Sequence, residues 1–523
     1  MRSDFFIILL YLAVFGSLSF VYLKHALQMF QQNHYELYRY SKWLFHKNNL
    51  KLSVTFIYII IVLVIGTLFR KNAALPCLFV TACFAIYLIY QESKKTYIKD
   101  LVVTARVKRQ IAVISLLMIA YICLAMRFMK EDLLGISVIA LSYLLIYPMA
   151  LLTMPMEYLI KKRYENEARA ILNSQDDLLK IGITGSYGKT STKNIINDII
   201  SYDRYTLMTP ASYNTPMGIT RTIREELKPI HEIFICEMGA DKVGDISYLM
   251  DFVRPQYGIV TSIGKQHLNT FHDLENIIFE KMQEVELLPP DGVAFLNADN
   301  EYIRDYKIRN RCKVIRVATA DVEADYIAKD LRYTKDGSTF SVRINNRNYK
   351  FATSLLGKHN ITNILLGIAV AIELGMDLRT IQQRVQNVRQ VEHRLQIRKI
   401  SNLTFIDDAF NANPEGSKNA LDVLSMMPGK RVIVTPGMID LGSIQYDTNK
   451  EFGRYMSGRA DEVILVGEKQ TEPIYAGLKE SGFDLGHVHV FKTVNEALTY
   501  VYKNFSSADT ILLENDLPDA FNV

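Results

Sequence analysis

Gly182-Ile-Thr-Gly185-Ser-Tyr-Gly188-Lys189-Thr190-Ser191 is the stretch that decides how this chain is read. Leu179 to Ile183 in front of it reads as a short buried strand, and Lys193 to Ile200 behind it as the start of a helix. Glycines between a strand and a helix let backbone N–H groups close around phosphate oxygens at the helix N-terminus. Gly185, Ser186, Tyr187, Gly188, Lys189, Thr190 and Ser191 are therefore candidate nucleotide contacts. Lys189 can reach the terminal phosphates, and the Thr190 hydroxyl can ligate Mg2+. The usual P-loop carries a glycine five residues before Gly188, where this chain has Ile183, so the match is to a variant, T-G-x-x-G-K-T-S. The competing reading is a glycine-rich turn with no ligand.

Ahead of that loop the composition changes. The 523 residues leave room for about three domains. The chain is 49% hydrophobic, with a mean hydropathy of +0.06, and the excess lies at the front. Apolar segments run over Phe5–Leu23, Leu52–Phe69, Ala74–Tyr90, Ile111–Met126 and Leu134–Thr153, each near the ~20 residues that cross a bilayer. These segments predict a membrane unit of five transmembrane helices over residues 1–160. A cleaved leader is a poor reading of the first, which has only Arg2 before it and no small-residue cleavage site after it.

Loop charge orients the unit. Lys24, Arg39, Lys42, Lys47 and Lys51 follow the first segment, and Lys94, Lys95, Lys99, Arg106, Lys108 and Arg109 follow the third. The alternate loops hold only Arg70 with Lys71, and Arg127 with Lys130. Positive loops stay inside, which predicts an N-terminus outside and everything after residue 155 in the cytoplasm. The net charge of +5 is largely explained by these loops; no basic stripe interleaved with aromatics follows them, which argues against nucleic acid. Five cysteines without metal-ligand spacing read as small core residues in a reducing compartment.

From about residue 178 apolar strands alternate with amphipathic helices, an α/β organisation with a mostly parallel sheet. Strands are expected at Ile233–Cys236, Tyr257–Thr261 and Val293–Leu296, then a small antiparallel insert from Cys312 to Phe351 and a helix over Asn360–Leu374. A second α/β unit begins near Ile400, with strands at Thr404–Ile406, Arg431–Thr435, Glu462–Val466 and Thr510–Leu513. The expected domains are thus 161–398, which binds the nucleotide, and 399–523, a Rossmann-like C-terminal unit. Open α/β sheets bind ligands at the carboxyl ends of their strands. Glu237 follows one strand directly and His267 stands after another, so both are candidates to complete Mg2+ coordination beside Thr190.

With those residues assembled, the stretch from about 178 to 510 resembles the muramyl (Mur) ligases, ATP-dependent enzymes that join an amino acid or peptide to a carboxylate. Thr184-Gly-Ser-Tyr-Gly-Lys-Thr-Ser191 resembles that family's ATP loop, and Asn214 in Ser212-Tyr-Asn-Thr-Pro-Met-Gly218 its asparagine-glycine segment on the substrate side. Glu237 and His267 match the Mg2+-binding pair. Lys281 falls where many members carry a carbamylated lysine that bridges to a second Mg2+. Gly357-Lys-His-Asn360 with Asn363 resembles the segment near the adenine, and Arg394 the arginine that closes the central domain. Asp407-Asp408-Ala-Phe-Asn411-Ala-Asn413-Pro is similar to the signature of the D-alanyl-D-alanine-adding (MurF) branch. The resemblance implies nucleotide contacts from Asp407, Asp408 and Asn411, and substrate contacts from Asn411 and Asn413. It also implies ATP and Mg2+ as cofactors and an amide ligase in cell-envelope assembly.

Two departures bear on substrate. The membrane unit replaces the family's soluble UDP-gripping domain, which predicts a small-molecule or lipid-linked carboxylate acceptor met at the membrane, with D-Ala-D-Ala as the amine if the branch match is complete. The last strand ends Leu513-Glu-Asn-Asp-Leu-Pro-Asp519, where the family usually has a basic segment. That leaves two readings: a site for a cationic amine, or a frayed acidic tail. The rival functions are a membrane-bound poly-γ-glutamate-type polymer ligase and a non-catalytic ATP-binding regulator.

Overall fold

The computed structural model describes residues 2–45, 53–69, 74–94, 100–128, 131–266, 268–334, 337–400, 403–409, 413–439, 441 and 444–515. It divides into two compact units, the first ending at Lys162 and the second starting at Arg163.

The first unit is helical: α1 (Arg2–Gln32), α2 (Leu37–Leu44), α3 (Ser53–Phe69), α4 (Ala74–Ser93), α5 (Ala105–Phe128), α6 (Glu131–Leu144) and α7 (Ile146–Asn173). Among the described residues four stretches are long and apolar enough to cross a membrane, Leu9–Gln32, Leu75–Ser93, Ala105–Ala125 and Ile136–Asn173, while Ile57–Phe69 is apolar but shorter. The fifth expected segment is interrupted at Leu145, between α6 and α7. Pro148 accounts for that junction, because its missing N–H falls in the first turn of α7, where no donor is needed. Large apolar side chains point outward along these helices, among them Phe20, Ile60, Phe79, Ile86, Leu116 and Leu152. Polar pairs join the helices inside: Tyr22 to Thr55 (2.9 Å), Tyr58 to Thr81 (3.0 Å), Lys24 to Glu92 (3.0 Å), and Arg109 to both oxygens of Glu157 (2.7 and 2.9 Å). Apolar side chains outside and hydrogen-bonded polar pairs between the helices suit a bundle whose solvent is lipid.

The second unit opens with β1 (Leu179–Thr184), α8 (Lys189–Ile200), β2 (Thr206–Met208), α9 (Pro216–Glu226), β3 (Ile233–Glu237), α10 (Asp245–Val253), β4 (Tyr257–Val260), α11 (Leu268–Phe271) and α12 (Leu274–Glu286). It continues with β5 (Val293–Asn297), α13 (Glu301–Arg304), β6 (Lys313–Ala318), β7 (Tyr326–Thr334), β8 (Gly337–Ile344), β9 (Arg347–Thr353), α14 (Lys358–Glu373) and α15 (Leu378–Gln386). These strands form one sheet in the order β2-β3-β1-β4-β5-β6-β7-β8-β9. Pairing is parallel from β2 through β7 and antiparallel only for β7-β8-β9. The insert expected from Cys312 therefore starts later: β6 pairs in parallel with β5, reached through the crossover that contains α13. A strand's apolar pattern does not reveal its partner's direction. The first helix also starts earlier than expected, at Lys189, because Gly188 takes a left-handed φ of +82° and caps it. Buried isoleucines of α8 and nearly the whole of α14 pack on one face of this sheet, and α10 and α12 on the other.

A second sheet follows: β10 (Gln396–Ile400), β11 (Leu403–Asp408), α16 (Pro414–Ser425), β12 (Arg431–Thr435), α17 (Gln445–Met456), β13 (Glu462–Val466), α18 (Glu468–Glu480), β14 (Val488–Phe491), α19 (Val494–Asn504) and β15 (Thr510–Glu514). Its order is β10-β11-β15-β12-β13-β14, all parallel but for β10. β2, β10 and β14 were not foreseen from the sequence; each is short or at an edge and only partly buried.

Candidate active site

The nucleotide loop leaves β1 at Thr184 and is fastened to the segment after β4. Ser186 N donates to Ser262 O (2.7 Å), Tyr187 N to Ser262 Oγ (3.0 Å), and Gly264 N to Ser186 Oγ (3.1 Å). The Tyr187 hydroxyl donates to Lys265 O (3.1 Å). The amides at the start of α8 are thus aimed from a rigid frame, with Ser191 buried in its first turn. Lys189 Nζ lies over the loop carbonyls, 2.6 Å from Gly185 O and 3.3 Å from Ser186 O. Burial pushes its ammonium below the ordinary lysine range, opposed by Glu237.

Glu237, the last residue of β3, faces Ile183 in register and is buried. Its Oε2 accepts from Thr190 Oγ1 (3.0 Å) and Lys193 Nζ (3.1 Å), its Oε1 from Asn214 Nδ2 (3.0 Å). The structure therefore brings Thr190, Glu237 and Asn214 together as the motifs implied, with Asn214 touching the metal-ligand candidate itself. Lys193 was missed: a lysine four residues into a helix reads as a solvent-facing residue, and nothing in its spacing says otherwise. His267 and Asn411 lie outside the described residues.

Lys281 projects from α12, almost fully buried. Burial and the neighbouring charge of Lys189 bring its pKa down to about 7, against the pull of Glu280, Asp241 and Asp245. Glu280 itself is structural: its carboxylate accepts the N–H groups of Gly244 (2.8 Å) and Ile246 (2.5 Å) at the N-terminus of α10. One turn beyond Lys281, Glu284 is pushed up to about 8 by burial. Neither of its oxygens has a hydrogen-bond partner among the described residues. A Cβ at position 182 opposite it would lie 2.0 Å from Glu284 Oε1, so a larger residue there displaces that carboxylate.

On the α14 side, Asn360 Nδ2 is used locally, donating to Leu356 O (2.8 Å). Asn363 lies beside Gly188, and its Nδ2 has no partner among the described residues. His359, half-buried and in the field of Arg394, is held neutral with a pKa near 4, first by desolvation and then by that guanidinium.

The signature between the two sheets is split in its uses. Asp407 Oδ2 accepts from His393 Nδ1 (2.8 Å) and Arg398 (3.2 Å), while Asp408 Oδ1 accepts the Leu395 N–H (3.2 Å). Asn413 Oδ1 caps α16 through Gly416 N (2.8 Å). Arg394 is half-buried in the field of Asp408, Glu237 and Glu514, and desolvation holds its guanidinium below the ordinary arginine range. Glu514 ends β15 in register with Asp408 and accepts from Ser417 Oγ (2.5 Å). Burial, then Asp408, raises its carboxyl far above the usual range. The reading of this stretch as a frayed acidic tail therefore fails for Glu514, which is a buried strand residue; Asp516 to Asp519 lie outside the described residues.

Among the described residues no cluster of three or more His, Cys, Asp or Glu side chains is arranged to hold a metal alone. The donor set still fits Mg2+, which takes hard oxygens and is usually bound by one or two carboxylates plus phosphates and water. Thr190 Oγ1 and Glu237 supply a hydroxyl and a carboxylate at the mouth of the phosphate loop.

Comparison with known proteins identifies the domains that carry these residues. Residues 183–371 match the Mur ligase middle domain, and residues 393–514 the Mur ligase glutamate ligase domain. The UDP-N-acetylmuramoyl-tripeptide–D-alanyl-D-alanine ligase of Escherichia coli is 29% identical over 306 residues, 58% of this chain and 68% of that one. Its Bacillus subtilis counterpart is 27% identical over 339 residues, 64% of this chain and 72% of its own. In fold, MurF from Acinetobacter baumannii superposes with a TM-score of 0.61 at 23% identity, covering 68% of this chain and 77% of that chain. MurF ligase from Thermotoga maritima in complex with ADP also gives 0.61, at 22% identity, covering 68% and 80%. With both catalytic domains matched in order, and the phosphate loop and the β3 carboxylate inside the first, the chain belongs to the Mur ligase family.

Proposed function

We propose that this chain is a membrane-anchored, MurF-like amide ligase that spends ATP to activate a carboxylate as an acyl phosphate for capture by an amine. The observation that carries the reading is the Glu237 carboxylate 3.0 Å from the hydroxyl of Thr190, at the mouth of a loop that ends in Lys189. A carboxylate resists amines because its leaving group is poor; phosphorylation supplies phosphate as that leaving group. Lys189 and the α8 amides stabilise charge on the transferring phosphoryl group. Thr190, Glu237, His267 and a carbamylated Lys281 are the residues that would hold Mg2+, which supplies Lewis-acid stabilisation of the phosphoryl oxygens. Asn360, Asn363, Arg394, Asp407, Asp408 and Asn411 are assigned to the nucleotide, and Asn214, Asn411 and Asn413 to the acceptor and amine.

The domains run 1–160, 161–398 and 399–523, the first a multi-pass anchor with its N-terminus outside and the catalytic domains in the cytoplasm. The acceptor is a small-molecule or lipid-linked carboxylate, and the amine is D-Ala-D-Ala, the dipeptide in the names of the relatives, if the branch match is complete. Phosphate release by detergent-solubilised protein against a panel of soluble and lipid-linked acceptors tests this. Lys189→Ala is expected to lower turnover by at least about two orders of magnitude. Near-normal turnover in that variant, or no ATP use with any pair, overturns the reading.

A further inference from the structure

Lys193, beside the loop, is a charged side chain with no exposure at all. From the second turn of α8 its ammonium donates to Glu237 Oε2 (3.1 Å) and to Ala211 O (2.5 Å). Those acceptors belong to different elements, the end of β3 and the loop that follows β2. That loop continues to Asn214, whose Nδ2 returns to Glu237 Oε1, and Gly239 N donates to Asn214 O (2.9 Å). A closed ring results: α8, Lys193, the Ala211 loop, Asn214 and Glu237. Ala211 is itself left-handed, with φ of +41°, a conformation that costs a non-glycine residue on the order of 1 kcal/mol and persists only where its surroundings impose it. A buried ion pair adds little net stability over an apolar residue of the same size, but removing one partner strands the other charge. Stability alone therefore does not account for a lysine here, whereas fixing one arrangement of three elements does.

We infer that Lys193 is a positioning residue that locks the Asn214 loop to the nucleotide loop and passes nucleotide occupancy on to the acceptor side. Thr190 and Lys193 share one oxygen of Glu237. A Mg2+ held by Thr190 and Glu237 would act on the very carboxylate that Lys193 and Asn214 hold, so its arrival would be felt in the loop that carries Asn214. The inference rests on the proposed function for the identity of the two ligands.

Hydrogen exchange on the full-length protein in detergent tests it, with and without ADP and Mg2+, in the wild type, Lys193→Met and Lys193→Gln. In the wild type, ADP is expected to slow exchange in residues 206–216 at least about threefold. In Lys193→Met that response is lost, and the ligand-free segment exchanges at least about tenfold faster while residues 179–184 stay within about twofold. Lys193→Gln keeps part of the protection, because its amide can still donate to Ala211 O, and it carries the test should the methionine variant not fold. An unchanged segment, an intact ADP response in the variants, or a uniform rise across the sheet overturns the inference. So does a wild type in which ADP protects 185–191 but not 206–216. A wild type with no ADP response anywhere refutes the nucleotide reading instead, and the ligand-free comparison still decides whether Lys193 holds the loop.

Discussion

Lys281 offers a quantitative test of the metal site, because carbamylation needs a neutral amine. An ordinary lysine, with a pKa of about 10.4, has on the order of one neutral amine in 2,500 at pH 7. The buried Lys281, brought down to about 7, is roughly half neutral there, an enrichment of about three orders of magnitude. Two causes produce the shift, and they are separable: burial comes first and the charge of Lys189 second. Protein equilibrated with 13C-bicarbonate should therefore show a carbamate signal that develops near pH 7. Lys189→Ala removes the neighbouring charge, so the Lys281 pKa rises and the signal moves to higher pH. Lys281→Ala should lower phosphate release by at least about a hundredfold, with partial rescue by short carboxylates that can replace the lost anion. Lys281→Arg, which never becomes neutral, should gain nothing from bicarbonate. A label that attaches only above pH 9, or Lys281→Ala at near wild-type turnover, refutes the reasoning.

Two further outcomes follow from other parts of the molecule. Glu284 is held protonated in the folded chain to about pH 8 but ionises near 4.5 once unfolded, so it detracts from stability progressively as pH rises from 4.5 to 8. Glu284→Gln should then gain thermal stability over the wild type across that window and little more above it; an offset in melting temperature that is the same at pH 5 and pH 8.5 contradicts this. Leu116, exposed on α5, should face lipid; Leu116→Asp would cost about 2.5–3.5 kcal/mol at the bilayer centre and deplete the membrane fraction, whereas unchanged membrane recovery would argue that the bundle does not insert.

The nucleotide loop, Glu237 and the central strands of both sheets were legible because each has a local signature: glycines between strand and helix, a polar residue at a strand end, short apolar runs bounded by turns. Asn413 before Pro414 was expected as a substrate contact; in the structure its Oδ1 caps α16, a use the resemblance did not imply. What escaped the sequence depends on tertiary placement. Lys193 and Glu280 look like ordinary helical charges until the fold buries one against Glu237 and sets the other under α10. The parallel pairing of β6 and the burial of Glu514 escaped for the same reason, since neither partner direction nor side-chain environment is written in a strand's own pattern.

The departure from the usual P-loop has a structural consequence of its own. Ile183, where a glycine was expected, is a core residue of β1 paired with Glu237 and Ile259. The strand therefore runs further than in the longer loop, and fewer residues are left to wrap phosphate. Order comes instead from outside the loop, chiefly from Ser262, whose hydroxyl accepts from Tyr187 N (3.0 Å) and donates to Tyr187 O (3.0 Å) while its carbonyl accepts from Ser186 N. Ser262→Ala deletes the two side-chain bonds and leaves the backbone bond. At about 0.5–1.5 kcal/mol each, they sum to roughly 1–3 kcal/mol of loop order. That predicts weaker binding of a fluorescent ADP analogue by about five- to 150-fold, with kcat at saturating ATP much less affected, because Lys189 and Thr190 remain in place. Equal affinity in the variant would mean that the loop holds its shape unaided, and that the segment after β4 serves only to carry the chain toward α11.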